Sequence, residues 1–240
     1  MEFGDWSSLD IYHVVQPIYD LEKQKICGFE FLLRSPQFPN PLSLFKYAEQ
    51  EQALFDLDMY SIFHIFEQIR QYSRYLNDYL LFINVFPSTL MDDSFLYSLD
   101  RLLSFSAIKP ENIVLELNET ENEHDLPLLK NKIEQFRKKG IKISLDDLGT
   151  GSSTLRALLE LEPDIIKVDR YFCTNLANCE KKQLLIEFFV KFIHDGSTLI
   201  LEGFETEQDL RTAKSLGVTY GQGFYIGSPK RLNEYLFISN

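Results

Sequence analysis

The chain has 240 residues, 45% of them hydrophobic and 14% aromatic, with 11 glycines and 9 prolines; that composition is globular and excludes a collagen-like or disordered chain. Thirty-six acidic against 24 basic residues leave a formal charge of −12. That balance argues against a nucleic acid polymer as partner, because sequence-independent binding to nucleic acid is electrostatic, whereas an anionic small molecule is allowed where metal ions or a local Arg or Lys offset the charge.

In chain order, short β-branched or aromatic runs predict strands at residues 14–19 and 26–33, close enough to form a hairpin across residues 20–25. Helical spacing follows at 54–75, then strands at 80–85 and 113–117. A helix at 126–139 ends where Gly140 follows Lys138 and Lys139. Strands at 141–145 and 165–168, a helix at 181–194 and a strand at 198–201 come next. Thr206 before an acidic first turn opens a helix at 207–216, Gly217 closes it, and residues 220–225 form the last strand. A hairpin followed by alternating strands and helices implies parallel crossovers. Eight strands in this length point to one α/β barrel over residues 1–240. An open doubly wound sheet is the alternative, and no GxGxxG loop supports it.

Cys27, Cys173 and Cys179 form no CxxC pair and no even set, which argues against structural zinc and disulfides and fits a reducing compartment. The acidic start Met1-Glu2-Phe3-Gly4-Asp5 lacks a signal-peptide pattern. The longest uncharged stretch, 215–229, contains four glycines and falls short of the ~20 apolar residues of a spanning helix. The expectation is a cytoplasmic protein without a membrane segment.

The informative feature is where the polar residues fall. Glu30 lies in GFEFLLR, Asn84 in LFINV and Glu116 in IVLEL; Asp146 and Asp147 follow ISL, Lys167 lies in DIIKVD, Glu202 ends LILEG and Gln222 sits in YGQG. Singly, each has an ordinary structural reading: ion-paired strand residues for Glu30 and Glu116, a turn or cap for Asp147 and Asn84, a rim lysine for Lys167. Their recurrence near the ends of seven successive strands is what the ordinary readings leave unexplained. In α/β folds the active site lies at the strands' carboxyl ends. Converging carboxylates repel unless a hard divalent cation with oxygen ligands relieves them, and adjacent aspartates suit a pair of ions of the kind that activate water in phosphoryl displacement. No His or Cys lies among these positions, so Mg²⁺ or Mn²⁺ fits better than zinc. His13, His64, His124 and His194 are scattered and read as structural or surface residues, and the aromatic segment 55–79 as core and interface.

The order of these motifs, E-x-L-x-R, N-V, E-L-x-E, DDLGTGSSTL, DIIKVD, LEGFETEQDL and Q-G, resembles the EAL domain from about residue 15 to 229. The resemblance implies a modified TIM (β/α)8 barrel with one antiparallel strand, hydrolysing cyclic di-GMP to linear pGpG with two Mg²⁺ or Mn²⁺ ions, and a homodimer. Glu30, Asn84, Glu116 and Asp146 would hold the first ion, Asp146 and Asp147 the second. Glu202 would act on the attacking water as ligand or general base, and Lys167 would contact that water or the phosphate charge. Arg34 would bind a substrate phosphate, with Leu32, Gln222 and Glu205 also on the substrate side, and Glu119 would steady the loop after Asp147. Phe31 stands where the family has Ala, and Asn118, Leu148 and Ser152 also depart from its pattern. Strand alternation places Glu30 and Phe31 on opposite faces, so Phe31 reads as a repacking change in the helix layer. The alternative reading is a catalytically silent EAL-like protein acting as a cyclic di-GMP receptor or as a regulator that binds a protein.

Overall fold

The computed structural model describes residues 6, 9–117, 126–149, 155–193 and 196–236. Eight strands close into a barrel in sequence order. They are β1 (Tyr12–Asp20), β2 (Lys25–Arg34), β3 (Leu80–Val85), β4 (Ile113–Leu117), β5 (Lys142–Leu148), β6 (Ile165–Val168), β7 (Thr198–Leu201) and β8 (Tyr220–Gly221). The β1–β2 pair is antiparallel, β1 also runs antiparallel to β8, and every other neighbouring pair is parallel. The seven strands from β2 onward therefore point their carboxyl ends at one mouth. The helices are α1 (Pro41–Gln50), α2 (Leu54–Leu76), α3 (Pro87–Met91), α4 (Asp93–Ser106), α5 (Leu126–Arg137), α6 (Leu155–Leu161), α7 (Arg170–Cys173), α8 (Glu180–Phe192), α9 (Glu207–Ser215) and α10 (Leu232–Leu236).

Local signals explain most boundaries. Thr206 accepts the Asp209 amide at 3.1 Å at the start of α9, and Gly140 and Gly217 take φ of 90° and 92° after α5 and α9, where a side chain would be strained. The sequence reading omits α1 and α4, yet both have caps: Asn40 before Pro41 accepts the Leu42 amide, and Asp92 accepts the Ser94 amide. The last strand is shorter than its apolar run, because the chain leaves the sheet after Gly221.

Period-two alternation sorts the strands into two layers. Outward residues such as Phe29, Phe31, Leu81, Ile83, Leu115 and Ile143 bury themselves under α2, α4 and α5 in one cluster. Phe31 is 1% exposed there, which agrees with the predicted helix-layer position. Along α2, Ile62, Ile65, Phe66 and Ile69 recur at helical spacing and are fully or almost fully buried, each contributing roughly 1.5–3 kcal/mol. Inside the barrel, Ile18, Phe82, Val114, Ile165 and Ile200 form an apolar plug. Two residues further along each of four strands, on the same face, come Asn84, Glu116, Lys167 and Glu202. The plug seals this polar layer from below.

Candidate functional site

The polar layer converges on one ammonium. Lys167 Nζ lies 3.2 Å from Glu30 Oε2, 3.4 Å from Asp146 Oδ1 and 2.6 Å from Glu202 Oε1, and it also contacts Glu116 Oε1. Sheet register prepares the meeting: Asn84 pairs with Glu116 between β3 and β4, and Gln16 of β1 lies opposite Glu30. Gln222 donates Nε2 to Glu30 Oε2 at 2.5 Å. Lys167 is 1% exposed and Glu116 is wholly buried, so four carboxylates share a single buried cation.

Burial and then electrostatics set the protonation. Loss of solvent pushes Glu116 well above its ordinary range, with repulsion from Glu30 and Asp146 adding to the effect and Lys167 opposing it. Asp146 rises for the same first reason, and Glu202 is pushed up to about 8. Asp147 rises to about 6 through burial and the charges of Asp146 and Asp169. Burial works against the Lys167 charge, yet the carboxylates around it hold its ammonium well above the usual lysine range.

Asp147 shows a feature that strand alternation does not anticipate. Successive strand residues face opposite ways, so a regular β5 would aim Asp146 inward and Asp147 outward. Instead β5 has a register irregularity between Leu145 and Leu148, and Asp147 adopts φ of 53°, an uncommon conformation for a residue with a side chain. Asp146, Asp147 and Glu202 can then each present an oxygen within 4.8 Å of the others. Glu116 Oε2 and Gln222 Oε1 are buried with no hydrogen-bond partner among the described residues. Excess buried negative charge and orphaned oxygen acceptors fit hard divalent cations.

Two clefts flank this layer, and both reach Glu30, Leu32 and Asp146. The first, of about 240 Å³, is also lined by Arg34, Asn84, Asp58 and Phe86. The second, of about 250 Å³, is lined by Lys167, Arg170, Glu202, Glu205, Gln222 and Phe224. The structure thus gathers Glu30, Glu116, Asp146, Lys167, Glu202 and Gln222, adds Asp147 from the bulge, and divides Arg34 and Glu205 between the clefts. Arg34 donates to its neighbour's carbonyl, Leu33 O, at 2.8 Å, and Asn84 Nδ2 approaches Phe31 O at 3.5 Å. Glu119 and Ser152 lie outside the described residues.

Several site residues escape the sequence reading. Asp58 is 5% exposed, accepts the Phe86 amide at 2.9 Å and so holds the start of α3 beside the first cleft. Its signal was present, a carboxylate within the apolar stripe of α2. Burial raises its carboxyl from 3.8 to about 7. A raised acid pKa means that the folded state holds the proton more tightly than the unfolded chain does. The stability from that proton is complete below pH 3.8 and is lost as pH rises to about 7. Asp58→Asn, which keeps an acceptor for the Phe86 amide and does not titrate, should therefore gain on the parent between pH 4 and 8. The gain is on the order of 3–4 kcal/mol, roughly 10 °C in Tm at this chain length. Parallel melting curves for the two proteins would refute this if they kept a constant separation across that range.

His13 is a buried structural residue, as expected. Its Nε2 lies 2.9 Å from Ser61 Oγ, and burial first, with His64 and Arg34 adding, pulls its pKa down to about 3.

Fold and site together define the class: an α/β barrel whose mouth carries a carboxylate layer suited to divalent cations. A family profile described as EAL domain matches residues 9–229, and the chain belongs to that family. It is 30% identical over 236 residues, 95% of its length, to the probable cyclic di-GMP phosphodiesterase PdeI of Escherichia coli. It is likewise 30% identical over 224 residues to the cyclic di-GMP phosphodiesterase PA2567 of Pseudomonas aeruginosa. The chain spans only 29% and 38% of the length of these relatives. Among solved structures, the manganese and cyclic di-GMP complex of Klebsiella pneumoniae BlrP1 superposes with a TM-score of 0.82 at 27% identity, covering 91% of this chain and 56% of that one. The EAL domain protein of Listeria monocytogenes shares the fold at a TM-score of 0.78 and 24% identity, over 94% of this chain and 90% of the other. Among the described residues no helix is long and apolar enough to cross a membrane.

Proposed function

We propose that this protein is a cytoplasmic, divalent-cation-dependent phosphodiesterase that hydrolyses cyclic di-GMP to linear pGpG. The observation that carries the reading is the convergence of Glu30, Glu116, Asp146 and Glu202 around a single buried lysine. The two near-equal clefts that share Glu30 and Asp146 suit a symmetric dinucleotide with one phosphodiester over the carboxylates. The named activity of the relatives and the ligands of the BlrP1 complex support cyclic di-GMP as the substrate.

Glu30, Asn84, Glu116 and Asp146 would hold one Mg²⁺ or Mn²⁺, and Asp146 with Asp147 a second, with Glu202 as a further ligand or general base. Such ions, when bound, polarise the phosphodiester oxygens and the attacking water. Water forms the new O–P bond, the P–O3′ bond breaks, and the 3′ oxygen leaves as a hydroxyl with a proton from solvent. Glu202 receives the proton of the water. Lys167, kept charged by its carboxylates, faces the phosphoryl oxygens with positive charge and holds Glu202 in place. Arg34 orients a phosphate from the first cleft. Incubation with cyclic di-GMP and Mg²⁺ or Mn²⁺, followed by chromatography, should yield pGpG, and EDTA should stop it. Binding of cyclic di-GMP without product in either metal would instead assign a receptor.

A homodimer belongs to the same reading. Leu184, Leu185, Phe188 and Phe192 of α8 are exposed, the rings of Phe188 and Phe192 stack at 5.5 Å, and Phe192 and exposed Leu159 of α6 line one groove. These side chains offer on the order of 500 Å² of apolar surface, a large part of the roughly 800 Å² that each partner gives a stable interface. Light scattering should find a dimer for the parent and a monomer for the double variant Leu184→Glu, Phe188→Glu. A monomeric parent at micromolar concentration would remove the dimer from the reading.

A further inference from the structure

We propose that Phe224 is a stacking platform for one purine of the dinucleotide, on the second-cleft side of the carboxylate layer; the proposal rests on the cyclic di-GMP reading above. Phe224 is 66% exposed, the most exposed phenylalanine among the described residues, and it lines the cleft that also contains Lys167, Glu202 and Gln222. Other exposed phenylalanines have company: Phe188 stacks on Phe192, and the Arg70 guanidinium lies 4.2 Å from the Phe105 ring. Among the described residues Phe224 has no ring or cation against it.

The backbone that presents this ring is braced. Gln222 N donates to Leu201 O at 3.0 Å, and Phe204 N donates to Gln222 O at 3.2 Å. Tyr225 N donates to Phe204 O at 2.8 Å, and the amides of Ile226 and Gly227 both turn back onto Gly223 O. Gly223 packs so closely that a Cβ there would lie 2.2 Å from Phe204 N. The ring therefore stands on a fixed strap between the loops after β7 and β8.

Position and chemistry agree. Gln222 is 3% exposed and bonds Glu30, where the phosphodiester would sit; Phe224 comes two residues later, at most about 7 Å along the chain. A sugar separates a phosphate from its base by a comparable reach, so a base leaving the carboxylate layer on this side meets the ring. Base–aromatic stacking needs one flat apolar face and is indifferent to the base's hydrogen-bonding edge. Phe224 would thus add affinity for a purine remote from the reacting phosphorus, contributing equally to ground and transition states.

The test is steady-state kinetics of Phe224→Ala, Phe224→Leu and Phe224→Trp with cyclic di-GMP in Mg²⁺, with melting temperatures as a check on folding. Phe224→Ala should raise KM about 10-fold while kcat stays within about twofold. Phe224→Trp should restore the parental KM, and Phe224→Leu, apolar but not planar, should not. An unchanged KM in Phe224→Ala, or a leucine as good as tryptophan, overturns the stacking role while the parent still turns over substrate. A parent that neither binds nor hydrolyses cyclic di-GMP removes the functional reading and this inference together.

Discussion

Asp146→Asn should lose turnover of cyclic di-GMP by at least about 1,000-fold, the loss of several kcal/mol of transition-state stabilisation, while the protein stays folded. In the proposed arrangement Asp146 serves both ions, so an amide there weakens two cation positions at once. Without metal the same change should cost no stability. Burial already pushes the Asp146 carboxyl up, which means that its ionised form is resisted by the folded protein. An uncharged amide removes that burden. The parent should therefore gain thermal stability on adding Mn²⁺, and Asp146→Asn should melt no lower than the parent in EDTA but gain little from Mn²⁺. Glu30→Ala should lose activity to a similar extent. Full activity in both variants, or an undiminished Mn²⁺ shift in Asp146→Asn, would remove the carboxylate layer from the chemistry.

Lys167→Met carries the second large effect, with the opposite sign in stability. The methionine fills most of the lysine's volume but leaves Glu30, Glu116, Asp146 and Glu202 without the ammonium that touches all four. Removing one partner from a buried ionic cluster costs about 3–5 kcal/mol, roughly 10 °C or more in Tm at this length. Part of the cost is avoided as the carboxylates take up protons, so the deficit should widen from pH 6 to pH 9. Divalent cations supply the missing positive charge, and millimolar Mn²⁺ should narrow the gap between variant and parent. Turnover should stay low even in Mn²⁺, because the charge facing the phosphoryl oxygens is gone. A Lys167→Met protein that melts with the parent in EDTA would show that the lysine is not the counter-charge of this layer.

The two variants separate roles that the static arrangement joins. The carboxylates are an electrostatic liability in the bare protein and, in the proposed reading, the source of cation affinity, whereas the lysine makes their coexistence possible. Sites built this way exchange stability for function.

Much of this was legible along the chain because the relevant physics is local or periodic. Period-two alternation alone separates Glu30 from Phe31, and the core position of Phe31 agrees with it. The short 20–25 connection forced an antiparallel first pair, and the long helical stretches forced parallel crossovers. Polar residues recurring beyond apolar strand interiors marked the mouth, since only the end of a closed barrel meets solvent and ligand.

Contacts between distant segments were not legible in this way. No local rule announces that Asp147 adopts a positive φ, because that conformation costs energy which only the packed barrel can repay. Asp58 reads as one more acid on a helix until α2 docks its apolar face and the Phe86 amide arrives from 28 residues away. The division of Arg34 and Glu205 between two clefts, and the strap that displays Phe224, depend on how the loops after β2, β7 and β8 lie against one another. Sequence by itself determined the strands, four of the helices and the chemical character of the mouth, because alternation, capping and residue type act within a few neighbours. The shared buried charge, the strained aspartate and the two-sided cleft came from closure of the barrel, which brings together side chains far apart in the chain and withdraws them from water.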